Sequence, residues 1–199
     1  GITKEGKWLL YDGPTDLIEN GEWRNYAELR LLSDLEKYEL TVLGSTKSLK
    51  DRVDVIFPVL HGPMGEDGTM QGLFELMGIP YVGCKVLGSS LAMDKIASKQ
   101  IFQNEGLPIC KYAYFNKEEI EDDLEGVCVR SEKALGYPMF VKPANMGSSV
   151  GISKAKNRED LKEALKEAIK YDRRIVIEEV LNCREIETGV IGNTVAFAA

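Results

Sequence analysis

The stretch FVKPANMGSSVGIS occupies residues 140–153 and organises the rest of the chain. The apolar residues just before it, from Met139 to Val141, predict a short strand that ends at Lys142. A second strand is expected to begin near Val150, after a loop rich in Gly and Ser. The sequence therefore predicts two strands joined by a loop, with a lysine at the end of the first strand.

The loop contains the residue types that bind a polyphosphate. Gly147 allows a ligand to approach the backbone closely, and the amides of Gly147, Ser148 and Ser149 can donate to an anion, while Lys142 adds a positive charge. Gly and Ser also dominate ordinary turns, so the loop alone fits a surface hairpin better. It lacks the spacing of the phosphate loop that ends in Gly-Lys-Ser/Thr and opens a helix.

The composition is that of a globular chain. With 199 residues it can form one large domain or two small ones, and the 44% hydrophobic and 29% charged content excludes a disordered or membrane class. The net charge of -7 argues against nucleic acid as a partner. No apolar run is long enough to span a bilayer, and no signal peptide is recognised. Four dispersed cysteines without a Cys-x-x-Cys pair favour reduced thiols in a cytoplasmic protein.

A strand, a Gly-rich loop and a helix follow one another in the first half of the chain. The run VDVIFPVL, from Val53 to Leu60, predicts a strand buried on both faces of a parallel sheet. A polar loop follows, then a helix from Met70 to Met77 that ends at Gly78. This order puts ligands at the carboxyl end of a parallel sheet. The lone histidine, His61, lies there beside Glu66, and a functional and a structural role are equally favoured for it.

A further helix is predicted from an N-cap at Ser89 or Ser90 to Glu105. Lys95 and Lys99 are one turn apart on this helix, a spacing that is typical of a solvated face. The other predicted elements are strands at Ile79–Val82, Ile109–Phe115, Arg174–Leu181 and Arg184–Ile191, an acidic helix start or linker at 117–126, a helix at Val127–Leu135, a helix after Asn157 with an apolar stripe from Leu161 to Ile169, and a hairpin turn at Ile191–Thr194.

Four segments together resemble one family. They are HGPMGEDGTMQG at His61–Gly72, GSSLAMDKIASK at Gly88–Lys99, YPMFVKPANMGSSVGISK at Tyr137–Lys154, and IVIEEVLNCREIETGVIG at Ile175–Gly192. In this order and spacing they look like the D-alanine:D-alanine ligases of the ATP-grasp superfamily, and the resemblance extends over the whole chain. Each segment alone is a weak signal, but the four together are highly specific.

The resemblance implies an α/β chain whose second part is α+β. Residues 1–106 are expected to form a parallel-sheet N-terminal substrate domain, and residues 107–199 the first part of an ATP-grasp domain, both incomplete. The family's N-terminal Gly-Gly loop is expected before Gly1. Its oxyanion arginine and its Asp, Glu and Asn magnesium ligands are expected after Ala199, so no metal ligand is predicted within the chain. By itself the segment is not expected to complete the reaction.

The family reaction gives the implied cofactors and partners. ATP phosphorylates the carboxylate of one D-alanine, and the amine of a second D-alanine attacks the acyl phosphate to give D-Ala-D-Ala for peptidoglycan. The resemblance thus implies ATP, Mg²⁺ or Mn²⁺, D-alanine as a small-molecule substrate and a homodimer. The matching site residues are Lys95 and Lys142 for phosphate, with Gly147 and Ser149 in the loop; Glu178, Glu179, Val180 and Leu181 for adenine; Glu185 for ribose; Ser148 for the first substrate and the closing elements; and His61 and Glu66 near the substrate carboxylate.

Alternatives of other classes remain open. The chain as given can be a non-catalytic, nucleotide-binding fragment, and sequence beyond Ala199 would decide this. Another ATP-grasp carboxylate-amine ligase shares the Lys and Glu contacts, but the segments HGPMGEDG and GSSVG argue against it. Within the family, a D-Ala-D-Ser or D-Ala-D-Lac ligase is the alternative, because the loop that selects the second substrate lies outside the sequence.

Overall fold

The computed structural model describes residues 2, 11, 13–23 and 53–192, and the backbone of residues 197–198. The chain divides into two compact units, one of Gly1–Pro58 with Gln71–Gly83 and one of Val59–Met70 with Cys84–Ala199. The domain boundary expected at residue 106 stays a prediction. Within the described residues, no helix has the length and apolar character needed to cross a membrane.

Of the described helices, four come before residue 105 and three lie after residue 111, where they alternate with the strands of the main sheet. In order they are α1 (Asp16–Glu19), α2 (Thr69–Met77), α3 (Val86–Met93), α4 (Lys95–Asn104), β1 (Tyr112–Asn116), α5 (Lys117–Asp122), α6 (Leu124–Leu135), β2 (Met139–Pro143), β3 (Ser153–Ala155), α7 (Arg158–Ala168), β4 (Arg174–Glu179), β5 (Val190–Ile191) and β6 (Phe197–Ala198).

In the first unit, the predicted buried strand at Val53–Leu60 is wrong in extent and burial. Ile56 alone forms a parallel bridge, to Tyr81, with hydrogen bonds from its amide to Pro80 O (2.8 Å) and from the Val82 amide to its carbonyl (2.9 Å). The predicted strand at Ile79–Val82 is reduced to the same bridge. Phe57 is 71% exposed. A strand is buried on both faces only when neighbours cover it, and in the described part of the chain this run has a partner at one point.

Helix α2 confirms the prediction for residues 70–77. Its Phe74 and Met77 are buried, and the Phe74 ring packs against Tyr81 at 5.4 Å between centroids. Gly78 has a φ of 64°, and its amide donates to Glu75 O at 3.0 Å. Glycine adopts this left-handed conformation without the cost that a side chain would add, so the helix ends where the sequence predicts.

The second unit is built on a four-stranded antiparallel sheet in the order β1-β4-β2-β3. One face is covered by α5, α6 and α7, and the core between them contains Phe115, Ile120, Val127, Cys128, Met139, Val141, Ala155, Leu161, Ala164, Leu165, Ala168, Ile175 and Ile177. The apolar stripe predicted after Asn157 therefore lies in the core, and the Asn157 side chain caps α7 by accepting from the Asp160 amide at 2.9 Å. The mixed α/β fold class is confirmed.

Alternation along the central strands gives the sheet two different faces. Val141 and Ile177 are opposite one another in the register and point into the helical core, whereas their neighbours Lys142 and Glu178 lie on the other face. On that second face, Ile96 of α4 packs with Ala144, Val176 and Tyr112. Helix α4 is thus held against the sheet face that carries the lysine and the glutamate.

Asp94 corrects the predicted helix start. The single helix expected from Ser89 or Ser90 to Glu105 is two helices, α3 and α4, and both serines lie inside α3. The helical conformation is interrupted at Asp94, whose Oδ1 accepts hydrogen bonds from the amides of Ile96 (3.0 Å) and Ala97 (2.9 Å). An aspartate at this point satisfies the first amides of α4, so a new helix begins there.

Asp94 also ties α4 to the sheet. It is 5% exposed, and its Oδ2 pairs with Arg174 and accepts from Asn145 Nδ2 at 3.2 Å. Asn145 is in turn held by Asp172, which accepts from its backbone amide at 2.7 Å. The amide of Lys95 donates to Ala144 O at 3.0 Å. The start of α4 is therefore fixed to the ends of β2 and β4.

Four strand predictions are corrected at their ends. The second strand expected near Val150 begins at Ser153, because residues 147–152 form turns, with Val150 N to Gly147 O (3.1 Å) and Ile152 N to Ser149 O (3.3 Å). The strand predicted at Ile109–Phe115 is β1, which begins at Tyr112. The strand predicted at Arg174–Leu181 is β4, which ends at Glu179. The strand predicted at Arg184–Ile191 is reduced to β5, Val190–Ile191, which pairs with β6 in antiparallel orientation. A strand needs a ladder partner, and the described residues supply one only over these lengths. Asn193 and Thr194 of the predicted Ile191–Thr194 turn lie outside the described residues.

Asp94 supplies a stability test. Asp94→Ala removes the acceptor of two helix amides and of Arg174, and one of the two acceptors of Asn145 Nδ2, so we expect the free energy of unfolding to fall by about 3 kcal/mol in urea denaturation. Asp123→Ala is the matched control, because Asp123 caps α6 through the Gly126 amide and otherwise forms an exposed ion pair with Arg130 at 3.5 Å, which contributes little. We expect that variant to lose about 1 kcal/mol. Equal losses in the two variants would contradict the role assigned to Asp94.

Candidate functional site

Glu178 is the centre of the candidate site. Its carboxylate is buried, with a side chain 10% exposed, and it forms ion pairs with Lys142 Nζ at 2.6 Å and with Lys99 Nζ at 3.0 Å. Lys142 comes from β2, the neighbour of β4 in the sheet, and Lys99 from α4. Two cations from two elements therefore converge on one carboxylate of the open sheet face.

The electrostatics of this trio favour the charged forms of Glu178 and Lys99. Burial acts to raise the pKa of Glu178, but hydrogen bonds and charge from Lys142 and Lys99 outweigh it and hold the pKa below its ordinary value. Burial acts to lower the pKa of Lys99, yet hydrogen bonds to Glu178 and Cys110 raise it above its ordinary value. The sequence interpretation of Lys99 as part of a solvated face is wrong, since its side chain is 15% exposed.

Lys95 lies one turn before Lys99 and points at the loop after β2. Its Nζ donates to Met146 O at 2.5 Å and approaches Ala144 O at 3.5 Å. Burial, followed by repulsion from Lys142, lowers the pKa of Lys95. Burial and repulsion from a second cation disfavour the charged form of an ammonium group, so an anion that binds beside it stabilises that form. Lys95 and Lys142 thus form a cationic pair next to the loop.

Aromatic rings surround the trio. The cross-strand register places Tyr112 and Phe140 on either side of Glu178. Lys142 Nζ lies 5.5 Å from the centroid of the Phe140 ring, and Lys99 Nζ lies 5.5 Å from that of Tyr112. Tyr112 and Tyr114 stack at 6.4 Å. Flat apolar rings beside cations suit a ligand that combines a planar group with negative charge.

The loop at residues 144–152 contains two serines in left-handed backbone conformations. Ser148 and Ser149 are exposed and have φ values of 50° and 60°, a region that non-glycine residues rarely occupy. A Cβ atom on Gly147 would lie 3.6 Å from Gly62 Cα and 3.9 Å from Met93 Cε. The predicted loop residues therefore lie together, and next to a second loop.

That second loop, residues 61–68, contains the predicted His61 and Glu66. Both are exposed, and Glu66 Oε2 accepts from the Gly62 amide at 2.5 Å. Asp67 accepts from the amides of Met64 (2.8 Å) and Thr69 (3.0 Å). Burial acts to raise the pKa of Asp67, but these hydrogen bonds outweigh it and lower the pKa. The two carboxylates thus hold the loop that carries His61 beside Gly147.

The residues predicted for adenine and ribose continue from β4. Glu179 is fixed to the residue before β1, because its carboxylate accepts from the Lys111 amide at 2.7 Å and its own amide donates to Lys111 O at 3.1 Å. Val180 is half-buried. Leu181 and Glu185 lie in an exposed segment without regular structure. The structure brings Glu178 to the lysines, fixes Glu179 to the Lys111 backbone, and leaves Glu185 in the exposed segment that follows β4.

Sequence reasoning missed four residues of this region. They are Lys99, Asp94, Asn145 and Arg174, which hold Glu178 or anchor α4. The signals were present in part: an aspartate, a typical N-cap residue, directly precedes Lys95, and the alternation of β4 puts Glu178 on the same face as Val176. Among the described residues, no group of three or more His, Cys, Asp or Glu side chains is arranged to hold a metal ion.

Comparison with protein families matches both parts of the chain. Residues 1–84 match the family described as "D-ala D-ala ligase N-terminus", and residues 101–199 match "D-ala D-ala ligase C-terminus". Only residues 85–100 lie between the two matches, and these include the start of α4. The two descriptions name the two parts of one enzyme family.

Individual proteins agree with the family match. A D-alanine–D-alanine ligase of Acetivibrio thermocellus is 50% identical over 207 residues, which cover 97% of this chain and 55% of that protein. Two solved structures are similar: the VanG D-Ala:D-Ser ligase of Enterococcus faecalis (TM-score 0.80, 34% identity, 100% of this chain and 57% of that one) and the D-alanine-D-alanine ligase of Coxiella burnetii (TM-score 0.74, 30% identity, 98% and 56%).

The chain spans about half the length of the curated relatives that it matches. Within that span, the two family matches, the identity near one half and the fold agree with one another. The chain belongs to the D-alanine–D-alanine ligase family.

Proposed function

We propose that the full-length protein carrying this chain joins two D-alanines at the expense of ATP. The γ-phosphoryl group passes to a carboxylate oxygen of the first D-alanine, and ADP leaves. The amine of the second D-alanine then attacks the acyl carbon, loses a proton and expels phosphate, which leaves D-Ala-D-Ala for peptidoglycan. The proposal includes a cytoplasmic location and a homodimer, which follow from the family resemblance.

The observation that carries the proposal is the pair Lys95 and Lys142 beside the Gly-Ser loop, in a chain of this family. Lys142 is on the open face of the sheet, and Lys95 reaches the loop carbonyl of Met146. Two lysines from different elements can contact neighbouring phosphates of one nucleotide. Positive charge fixed in advance stabilises the negative charge that develops on the transferred phosphoryl group.

The remaining residues divide between nucleotide and substrate. In this proposal the amides of Gly147 and Ser149 add donors to the phosphates, Glu178 and the segment Glu179–Leu181 meet the adenine, and Glu185 holds the ribose. The buried, ionised carboxylate of Glu178 suits an acceptor for an amino group. Glu185 is exposed, so it would have to close over the ligand together with its segment.

The substrate end is proposed for the loop at residues 61–68. Ser148 would help to position the first D-alanine, and His61 can face its carboxylate. Glu66 holds the Gly62 amide and so supports the loop from within. The closeness of Gly147 to Gly62 supports this arrangement, because it puts the substrate loop next to the phosphate loop.

Divalent metal is part of the family's chemistry, in which it neutralises phosphate charge. The described residues supply no metal site, and the Mg²⁺ or Mn²⁺ ligands stay a prediction for the chain beyond Ala199. No step above is assigned to a metal.

The identity of the second substrate is a separate question, and D-serine has specific support. The VanG D-Ala:D-Ser ligase is similar over all of this chain, with a TM-score of 0.80. The 50% identity to D-alanine–D-alanine ligases favours D-alanine.

The test of the proposal is phosphate release from ATP and Mg²⁺ by the full-length protein. We expect release that depends on D-alanine and not on L-alanine, together with a dipeptide detected by mass spectrometry. D-Serine and D-lactate, offered in competition with D-alanine, would reveal the second substrate. Release that D-alanine does not stimulate would sink the ligase proposal and leave the fold unaffected.

The phosphate role of Lys142 has its own test. We expect Lys142→Ala to lower kcat/KM for ATP by about 100-fold or more, because one fixed charge on the phosphoryl group is lost. Lys156→Ala is the matched control, since Lys156 is exposed just after β3, and it should retain the original value. Circular dichroism would verify that both variants are folded. A Lys142→Ala protein with unchanged kcat/KM would contradict the assignment.

A further inference from the structure

Glu178 and the phosphates of ATP compete for the same lysine, if the function proposed above holds. Lys142 Nζ is 2.6 Å from the Glu178 carboxylate, and the lysine side chain is 23% exposed. A phosphate that contacts this ammonium group shares its positive charge with Glu178, and so weakens the ion pair. Leaving a buried carboxylate without a counter-ion costs several times more than losing an exposed pair. Binding of ATP therefore needs another cation at Glu178.

Lys99 is that cation. It pairs with the other carboxylate oxygen of Glu178 at 3.0 Å, so it does not have to be displaced when Lys142 leaves. Its side chain is 15% exposed and is held further by Cys110 Sγ at 3.1 Å and by the Tyr112 ring at 5.5 Å. Its position on α4, one turn after Lys95, is fixed by the Asp94 anchor. Lys99 is thus less free to move than Lys142.

We propose that Lys99 is a positioning residue that keeps Glu178 charge-compensated, so that Lys142 can move from Glu178 to the phosphates of the nucleotide. The inference rests on the function proposed above. Lys99 acts through Glu178 and does not itself have to touch ATP. Without the Lys99 charge, Lys142 is the one remaining cation of the trio. Its ion pair with Glu178 is then stronger, and a polyphosphate binds to Lys142 less well.

Tripolyphosphate is the probe, because it tests the phosphate end without adenine contacts. In calorimetric titrations of the full-length protein, we expect Lys99→Met to bind tripolyphosphate about tenfold more weakly than the wild type. Lys99→Arg keeps the charge and should stay within about threefold of the wild type. In steady-state kinetics, Lys99→Met should raise KM for ATP more than it lowers kcat, since its effect is on the release of Lys142.

Two controls separate this effect from a general loss of positive charge. Lys133→Met and Lys166→Met remove exposed lysines of α6 and α7, which cover the opposite face of the sheet. Both should bind tripolyphosphate as the wild type does. Lys99→Gln keeps a hydrogen-bond donor for Glu178 without the charge, and it replaces Lys99→Met if the latter does not fold.

A second substitution at Glu178 decides between positioning and direct contact. Glu178→Gln removes the charge that competes for Lys142, so it should strengthen tripolyphosphate binding about threefold and bring Lys99→Met back to at least the wild-type affinity. If Lys99 touched phosphate directly, or if its role were only structural, Lys99→Met would stay weak in the Glu178→Gln background, and the inference would be overturned. Unchanged binding by Lys99→Met would overturn it as well. A wild-type protein that binds neither ATP nor tripolyphosphate would overturn the proposed function, and the inference with it.

Discussion

The alternation of side chains along β4 is the constraint on which the second unit depends. Ile175 and Ile177 have to enter the helical core, so Val176 and Glu178 are forced onto the opposite face. The antiparallel register then sets Phe140 and Tyr112 beside Glu178. A shift of one residue in this strand would bury Glu178 among apolar side chains and expose the isoleucines. The hydrophobic core therefore determines where the charge of the site lies.

Helix α4 completes the site because it cannot slide along the sheet. Its start is fixed by Asp94, which binds two helix amides on one oxygen and Arg174 with Asn145 on the other. The backbone bond from Lys95 to Ala144 adds a second attachment. Lysines at the first and fifth positions of a helix anchored in this way reach the loop and the carboxylate respectively. The geometry of the cations thus comes from a helix cap.

The sequence was sufficient for those elements whose pattern depends on local chemistry. Helix α7, with its Asn157 cap and its apolar stripe, and the Gly78 end of α2 are predicted correctly because caps and periodicity act within a few residues. The run at Val53–Leu60 was predicted incorrectly, since apolar residues do not reveal how many neighbouring strands a strand has. The break at Asp94 was missed because its main partners, Arg174 and Asn145, are 80 and 51 residues away in the chain. Lys142 was a candidate from the residue types of its loop and Glu178 from the family resemblance, while their ion pair and the place of Lys99 in it required the fold.

The charges of the trio suit a switch operated by a ligand and not by pH. A carboxyl group whose pKa is lowered on folding stabilises the fold above its unfolded pKa of about 4.3, and that contribution is lost as the pH falls through the folded value. A lysine whose pKa is raised stabilises the fold below its unfolded pKa of about 10.4, and the contribution is lost as the pH rises through the folded value. Glu178 and Lys99 are therefore both charged throughout the neutral range. Protonation changes therefore do not disrupt their ion pair across that range. Binding of a polyphosphate to Lys142 is the event that can change the ion pairs of the trio.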